Sequence, residues 1–322
     1  MGSGDCQQAG DLLRDRFRGC LIGLAVGDAL GAAAEFMTEE AVRATYGQLT
    51  DYVSTRWWRA GEYTDDTSMA LCIAESLAEH VDVNLEDIAD RFIRWMLTDG
   101  RGIGNQTAAV LSRAQAGEDC TAASLAVWEE SGRSAAGNGG VMRCAPVALP
   151  HCHGHAALIR HSRETCRLTH SDPRCEWSCV AVNIALAGLI AGRESAIGDA
   201  RSAVRGMSPE LDTALEQALE VPVDGMRVDG PDQGYTIVTT QIAFAALASG
   251  RPFEDALIEV VSKGGDADTN GAVAGALLGA RDGYRAIPAR WRDSLLNRDH
   301  IIAVADNLWQ IAAPGLSAEP DA

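Results

Sequence analysis

No uninterrupted apolar run in this chain of 322 residues reaches the roughly 20 residues that a membrane-crossing helix needs. Nor does any block of Lys or Arg form a patch that could track a phosphate backbone; with 45 acidic against 27 basic residues and a net charge of -18, a nucleic-acid-coating role is disfavoured. No membrane partner is expected. Residues 1–10 are small and polar and lack the basic-then-apolar profile of a secretion signal. A disulfide framework is missing too. The cysteines number nine, an odd count at irregular spacings, and Cys20, Cys72 and Cys179 sit inside apolar helical stretches as small buried hydrophobes would. These absences point to a soluble protein of a reducing, cytoplasmic compartment. Runs of Val, Ile, Thr and aromatic residues with period-two alternation are scarce, the best being Leu49 to Ser54. No proline- or serine-rich linker and no repeat of solenoid period divides the chain.

Helical periodicity is what the chain has instead. Leu13, Phe17, Cys20, Leu21 and Leu24 recur at the spacing of one buried helix face. Gly23, Gly27 and Gly31 recur every four residues, a ridge against which another backbone or a ligand can come close. The same apolar stripe, continued, lands on Asp28 and then on Glu35, and acids on a core-facing stripe need a partner. Further helices are expected over roughly 66–80, 85–97, 105–116, 121–131, 154–166, 174–192, 209–219, 235–249, 253–262, 270–281 and 298–311. With 47% hydrophobic residues the chain can build a sizeable core. The pattern predicts an all-α protein: a single domain over 13–313, with flexible residues at 1–12 and 314–322.

Two aspartate clusters each precede an apolar helix. Thr64-Asp65-Asp66-Thr67, taken alone, reads as an ordinary helix N-cap. Capping also explains one acid of Gly264-Gly265-Asp266-Ala267-Asp268-Thr269-Asn270. It does not need Asp266, Asp268 and Thr269 together, behind two glycines that permit unusual backbone angles. Carboxylates brought together repel unless one takes a proton or a cation sits between them. Thr64, Asp65, Asp66, Asp266, Asp268 and Thr269 form an all-oxygen set, which favours magnesium, manganese or calcium over zinc and can hold two ions.

Three other segments carry polar side chains in number. Gly137 to Arg143 is a glycine-rich loop that either cradles an anion or connects two helices tightly. Thr169 to Arg174 reads first as a cap before Pro173, although His170 and Ser171 could hydrogen-bond a sugar or phosphate. His151, His153 and His155, near Cys144 and Cys152, match no closed four-ligand zinc pattern and read as a polar loop.

In combination these motifs resemble the ADP-ribosylglycohydrolase family, from about Phe17 to about Gly283. The resemblance rests on Gly27-Asp28-Ala29-Leu30-Gly31 with Glu35-Phe36, on Tyr63 to Thr67, on Gly137 to Arg143, on Thr169 to Arg174 and on Gly264 to Asn270. It implies a compact orthogonal helical bundle with a central binuclear metal cleft, holding two divalent cations, Mg2+ or Mn2+, on the six oxygen ligands above. It further implies that Asn138, Gly139, Gly140, Met142, His170, Ser171 and Tyr235 border the ADP-ribose. The expected reaction is hydrolysis of the bond between ADP-ribose and a side chain of a modified protein, arginine ahead of serine, with ADP-ribose as product. O-acetyl-ADP-ribose, nucleic-acid-linked ADP-ribose and a non-catalytic sensor role are the alternatives. Glu35 is the first choice for the proton-transferring group, since burial on its stripe would raise its pKa, followed by Asp65 and Asp66. One departure concerns the linkage. Similar arginine-directed members often carry an acid before the Ile-Gly that precedes the next helix, and here Gly102 stands there, with Asp99 the nearest substitute in sequence.

Overall fold

The computed structural model describes residues 3–152 and 154–312, with side chains from residue 10 onward. Among them it is about 68% helical, with fifteen α-helices and no strand. The helices are α1 (Ser3–Gly31), α2 (Glu39–Tyr46), α3 (Asp65–His80), α4 (Leu85–Thr98) and α5 (Asn105–Gln115). Then follow α6 (Cys120–Glu130), α7 (His155–Arg167), α8 (Pro173–Ile190), α9 (Ala196–Val204) and α10 (Pro209–Glu220). The last five are α11 (Thr236–Ala248), α12 (Phe253–Val261), α13 (Ala267–Asp282), α14 (Ala289–Ser294) and α15 (Arg298–Ala312). The long helices fall where the apolar stripes put them; the short α2, α9 and α14 carry too few turns for a stripe to show. α1 already begins at Ser3, ahead of the first stripe residue, and the expected tail at 314–322 lies outside the described residues.

Leu49 to Ser54 forms a loop, not a strand. No second extended segment runs beside it among the described residues, and side chains satisfy its backbone instead: Ser262 Oγ accepts from Leu49 N at 3.0 Å, and Trp291 Nε1 donates to Thr50 O at 3.0 Å.

The glycine ridge of α1 determines how the centre is built. A Cβ added at Gly19, Gly23, Gly27 or Gly31 would overlap the carbonyl oxygen of Gly279, Gly275, Gly271 or Ala267 in turn, and Gly271, Gly275 and Gly279 meet the α1 backbone in the same way. The two helices therefore lie antiparallel, backbone against backbone, along four successive turns. This pairing delivers the last turn of α1, with Asp28, to the first turn of α13, with Asp268. Around the pair stand α8 and α11, apolar on nearly every side and buried accordingly. At the far end of α1, Arg14 and Arg18 both make two-pronged contacts with Asp306 of α15, tying the two ends of the chain together.

α1 stops at Gly31, so Glu35 is not on the helical stripe. It is reached through a turn over residues 32–36 that ends with Phe36 at φ 58. That turn, rather than helical periodicity, aims Glu35 at the centre of the molecule.

Candidate active site

The first acidic helix start is capped from elsewhere. Thr64, the residue before α3, makes no side-chain cap to its own helix. Asp28 of α1, fully buried, takes that role: its carboxylate accepts from Thr64 N at 2.8 Å, Thr67 N at 3.0 Å and Thr67 Oγ1 at 2.6 Å. The partner that a stripe acid requires is thus the N-terminus of another helix. Asp65 and Asp66 are released from capping and can face the interior.

The second start is arranged by its backbone. Gly264 and Gly265 both have left-handed φ, 67 and 64. They let the loop bond to the chain after α1, with Phe36 N donating to Gly265 O at 2.6 Å and Gly265 N to Met37 O at 2.8 Å. Asp266, Asp268 and Thr269 follow, all buried. Asn138 Nδ2 donates to Asp266 Oδ2 at 2.7 Å and to Thr239 Oγ1 at 3.0 Å, so the amide expected to border a ligand also orients a metal-ligand candidate.

The two starts and the turn converge. Carboxylate oxygens of Glu35, Asp266 and Asp268 lie within 4.8 Å of one another. Burial, then the charge of neighbouring acids, drives Asp66 and Asp268 well above the usual carboxylate range. Glu35 is pushed up to about 7 by burial, Asp266 and Asp28, and Asp65 to about 7 by burial and Asp28. Asp66 Oδ1 is buried with no hydrogen-bond partner among the described residues. Unpaired, mutually repelling hard oxygens in the core are costly unless a cation joins them. The donor set fits hard divalent cations, and Glu35 stands close enough to Asp266 and Asp268 to share in holding one.

A cavity of about 370 Å³ opens on these acids, within the usual range for small-molecule sites. Glu35, Asp65, Asp66, Asp266, Asp268 and Thr269 form its floor, and Asn138, Gly139, Met142 and His170 one wall. Gly139 belongs there because a Cβ would come within 2.7 Å of His170 Cε1. His170 is fully enclosed; burial and then Arg143 hold its imidazole down to about 3, a neutral group whose Nδ1 meets Thr169 Oγ1 at 2.7 Å.

Four expected site residues do not line the cavity. Thr64 is beneath it, its hydroxyl 3.3 Å from Asp66 Oδ2. Gly140 backs onto Cys166. Ser171 pairs with Ser124 Oγ at 2.9 Å, and Asp172 beside it caps α8, as the cap reading of this segment has it. Tyr235 is engaged through its hydroxyl with Glu210 and Arg174. Residues 104–107 of the α5 start, by contrast, line the cavity and carry no sequence signal beyond the Gly-Asn step. Gly102 is explained sterically: its φ is 83, and a Cβ there would overlap Asp65 Oδ1. An acid at this position would require Asp65 to turn away and a left-handed backbone to carry a side chain.

The ADP-ribosylglycohydrolase family profile matches residues 9–315. ADP-ribosyl-[dinitrogen reductase] glycohydrolase of Rhodospirillum rubrum is 32% identical over 288 residues, 89% of this chain and 92% of that protein. ADP-ribosylarginine hydrolase Tri1 of Serratia proteamaculans is 28% identical over 92% of this chain and 80% of its own length. A solved structure described as an ADP-ribosylglycohydrolase-related protein complex superposes with a TM-score of 0.79 at 31% identity, covering 94% of this chain and 99% of that one. By its matched length, its all-α architecture and its acidic cleft, the chain belongs to the ADP-ribosylglycohydrolase family.

Proposed function

We propose that this protein is a metal-dependent hydrolase that frees ADP-ribose from a modified protein side chain, arginine in first place and serine in second. The observation that carries the reading is the convergence of Glu35, Asp266 and Asp268 on one cavity beside the unpartnered Asp66 Oδ1. Two divalent cations, magnesium or manganese, would be held by Thr64, Asp65, Asp66, Asp266, Asp268 and Thr269, and would supply Lewis-acid charge toward ribose hydroxyls and water.

The protein's own residues account for the remaining steps. Glu35, half-buried and raised toward neutrality, can carry a proton to the leaving nitrogen or oxygen as positive charge builds on the ribose ring, or take one from the attacking water. Asn138 fixes Asp266 through its amide. The wall of Gly137 and Gly139 lets a ligand approach the backbone itself, and the neutral His170 behind it adds a hydrogen-bonding nitrogen without adding charge. A guanidinium leaving group would meet Asp65 and Glu35 instead of an acid at position 102. No described helix is long and apolar enough to cross a membrane; we place the enzyme in the cytoplasm.

The test is release of ADP-ribose from arginine-linked and serine-linked ADP-ribosylated proteins, with magnesium or manganese and again with excess chelator. Metal-dependent release from one of them is expected. Asp66→Asn and Asp268→Asn should each lower it at least about a hundredfold while far-UV circular dichroism is unchanged. Full activity in both variants, or in chelator, contradicts the reading, and tight ADP-ribose binding without release favours the sensor role.

A further inference from the structure

A second group of metal-ligand side chains lies at the opposite end of α3 from the acidic cleft. α3 is 16 residues long, which separates its two ends by about 24 Å. Asp65 and Asp66 open the helix; Asp82 follows its last turn, after Val81 at φ 67, a left-handed conformation that a β-branched residue rarely adopts. Asp82 there meets His151, in the loop ahead of α7, and His161, within α7. Three atoms converge: His151 Nε2 and His161 Nδ1 are 3.1 Å apart, and Asp82 Oδ1 is 3.6 Å from the first and 3.7 Å from the second.

We propose that Asp82, His151 and His161 form a mononuclear zinc site that clips the loop after α3 to α7. The triangle of ligand atoms has a point about 2.0 Å from all three corners, the length of a zinc bond to imidazole nitrogen or carboxylate oxygen. Two nitrogens and one oxygen suit a borderline ion such as zinc, not the hard cations of the all-oxygen cleft. His161 is buried and the His151 side chain is largely enclosed, so both imidazoles present their nitrogens from fixed positions. The carboxylate is also aimed from behind, as Val83 N donates to Asp82 Oδ1 at 2.7 Å. Asp82 is largely exposed, which leaves the fourth position to water. Arg160 Nη2 lies 2.6 Å from His161 Nε2. Metal at Nδ1 requires the proton on Nε2, and Arg160, itself well exposed, then turns toward Glu164, whose carboxylate is already 3.8 Å away.

Of His151, His153 and His155, His151 takes part in this group. His155 faces Arg193 and His153 lies outside the described residues; the partner of His151 is ten residues on, brought back by α7.

Zinc binding to the full chain tests the site, by metal analysis after dialysis and by competition with a chromophoric chelator. The Asp66→Asn/Asp268→Asn background silences the cleft, and the unaltered chain in excess magnesium repeats the comparison without those variants. One zinc per chain is expected, with affinity falling at least about tenfold in His151→Ala and in Asp82→Asn, since even supporting residues of metal sites cost that much. Cobalt in place of zinc should give the intense visible absorption of a four-coordinate site, abolished by the same two substitutions. Asp82 is largely exposed and His151 lies in a loop, and far-UV circular dichroism unchanged in both variants checks that the fold is kept. Zinc affinity unchanged in the two variants, or no zinc bound in the silenced background, overturns the proposal.

Discussion

The starts of α3 and α13 carry the same cargo, two acids in or at the first turn, and hold it by opposite means. At α3 the orphan N–H groups are satisfied by a side chain from a distant helix, Asp28. At α13 the loop is bent by Gly264 and Gly265 and bonded through its backbone to the segment after α1. Neither start spends Asp66 or Asp266 on capping its own helix. Acids at a helix N-terminus are usually consumed by it; at α3 Asp28 takes over that role, whereas at α13 Asp268 Oδ1 accepts from Thr269 N at 2.9 Å and the loop before the helix is held by the segment after α1. The last turn of α1 gives Asp28 and its continuation gives the bridge to Gly265.

If α1 is the common support, loosening its grip on α13 should damage both starts at once. Gly27→Ala does this, because the new Cβ overlaps the carbonyl of Gly271 and both helices are rigid there. Alanine improves helix propensity by about 1 kcal/mol, but overpacking of two backbones outweighs it. The expected net loss is about 3 kcal/mol in urea denaturation, with manganese affinity reduced for the cleft as a whole. Unchanged stability would mean that the helices are not in backbone contact.

How much of this was legible beforehand depends on the range of the signal. Helix ends near 80, 98 and 220 follow from apolar periodicity and lie in the sequence itself. The ridge of Gly23, Gly27 and Gly31 was visible as a ridge, whereas its mate at Gly271, Gly275 and Gly279 lies some 250 residues on, and no local pattern pairs them. Asp28 announced itself as a buried acid in need of a partner, but only the fold says that the partner is the start of α3. The gathering of Asp65, Asp66, Asp266 and Asp268 at one cavity was legible because clustered carboxylates are expensive anywhere. Ser171 and Tyr235 do not line the cavity, and their hydroxyls bond to Ser124, Glu210 and Arg174, remote residues that sequence proximity does not reveal.

A change confined to the first start separates the two. Asp28→Asn keeps the shape of the cap but replaces one acceptor oxygen by a donor, facing Thr64 N or the Thr67 pair. One buried N–H or O–H is left without an acceptor, at a cost of about 2 kcal/mol. Thermal unfolding with and without manganese should show lower stability and weaker metal stabilisation, since Asp65 and Asp66 lose their fixed turn. Wild-type metal stabilisation in this variant would mean that Asp28 supports the fold and not the cleft.

The gentlest change belongs to the second start. Gly265→Ala places a side chain at φ 64, costing about 1 kcal/mol for the left-handed backbone, and sets its Cβ against the carbonyl of Val228. Residues 226–233 form an irregular loop ahead of α11, so that backbone can move where α13 could not at Gly27. Stability should therefore fall by only about 1–2 kcal/mol. The displaced loop should instead appear in manganese affinity, about tenfold weaker, because Asp266 and Glu35 are hung from the two chains that Gly265 joins. A loss of stability as large as that of Gly27→Ala would erase the distinction between a start held by a flexible loop and one held by packed helices.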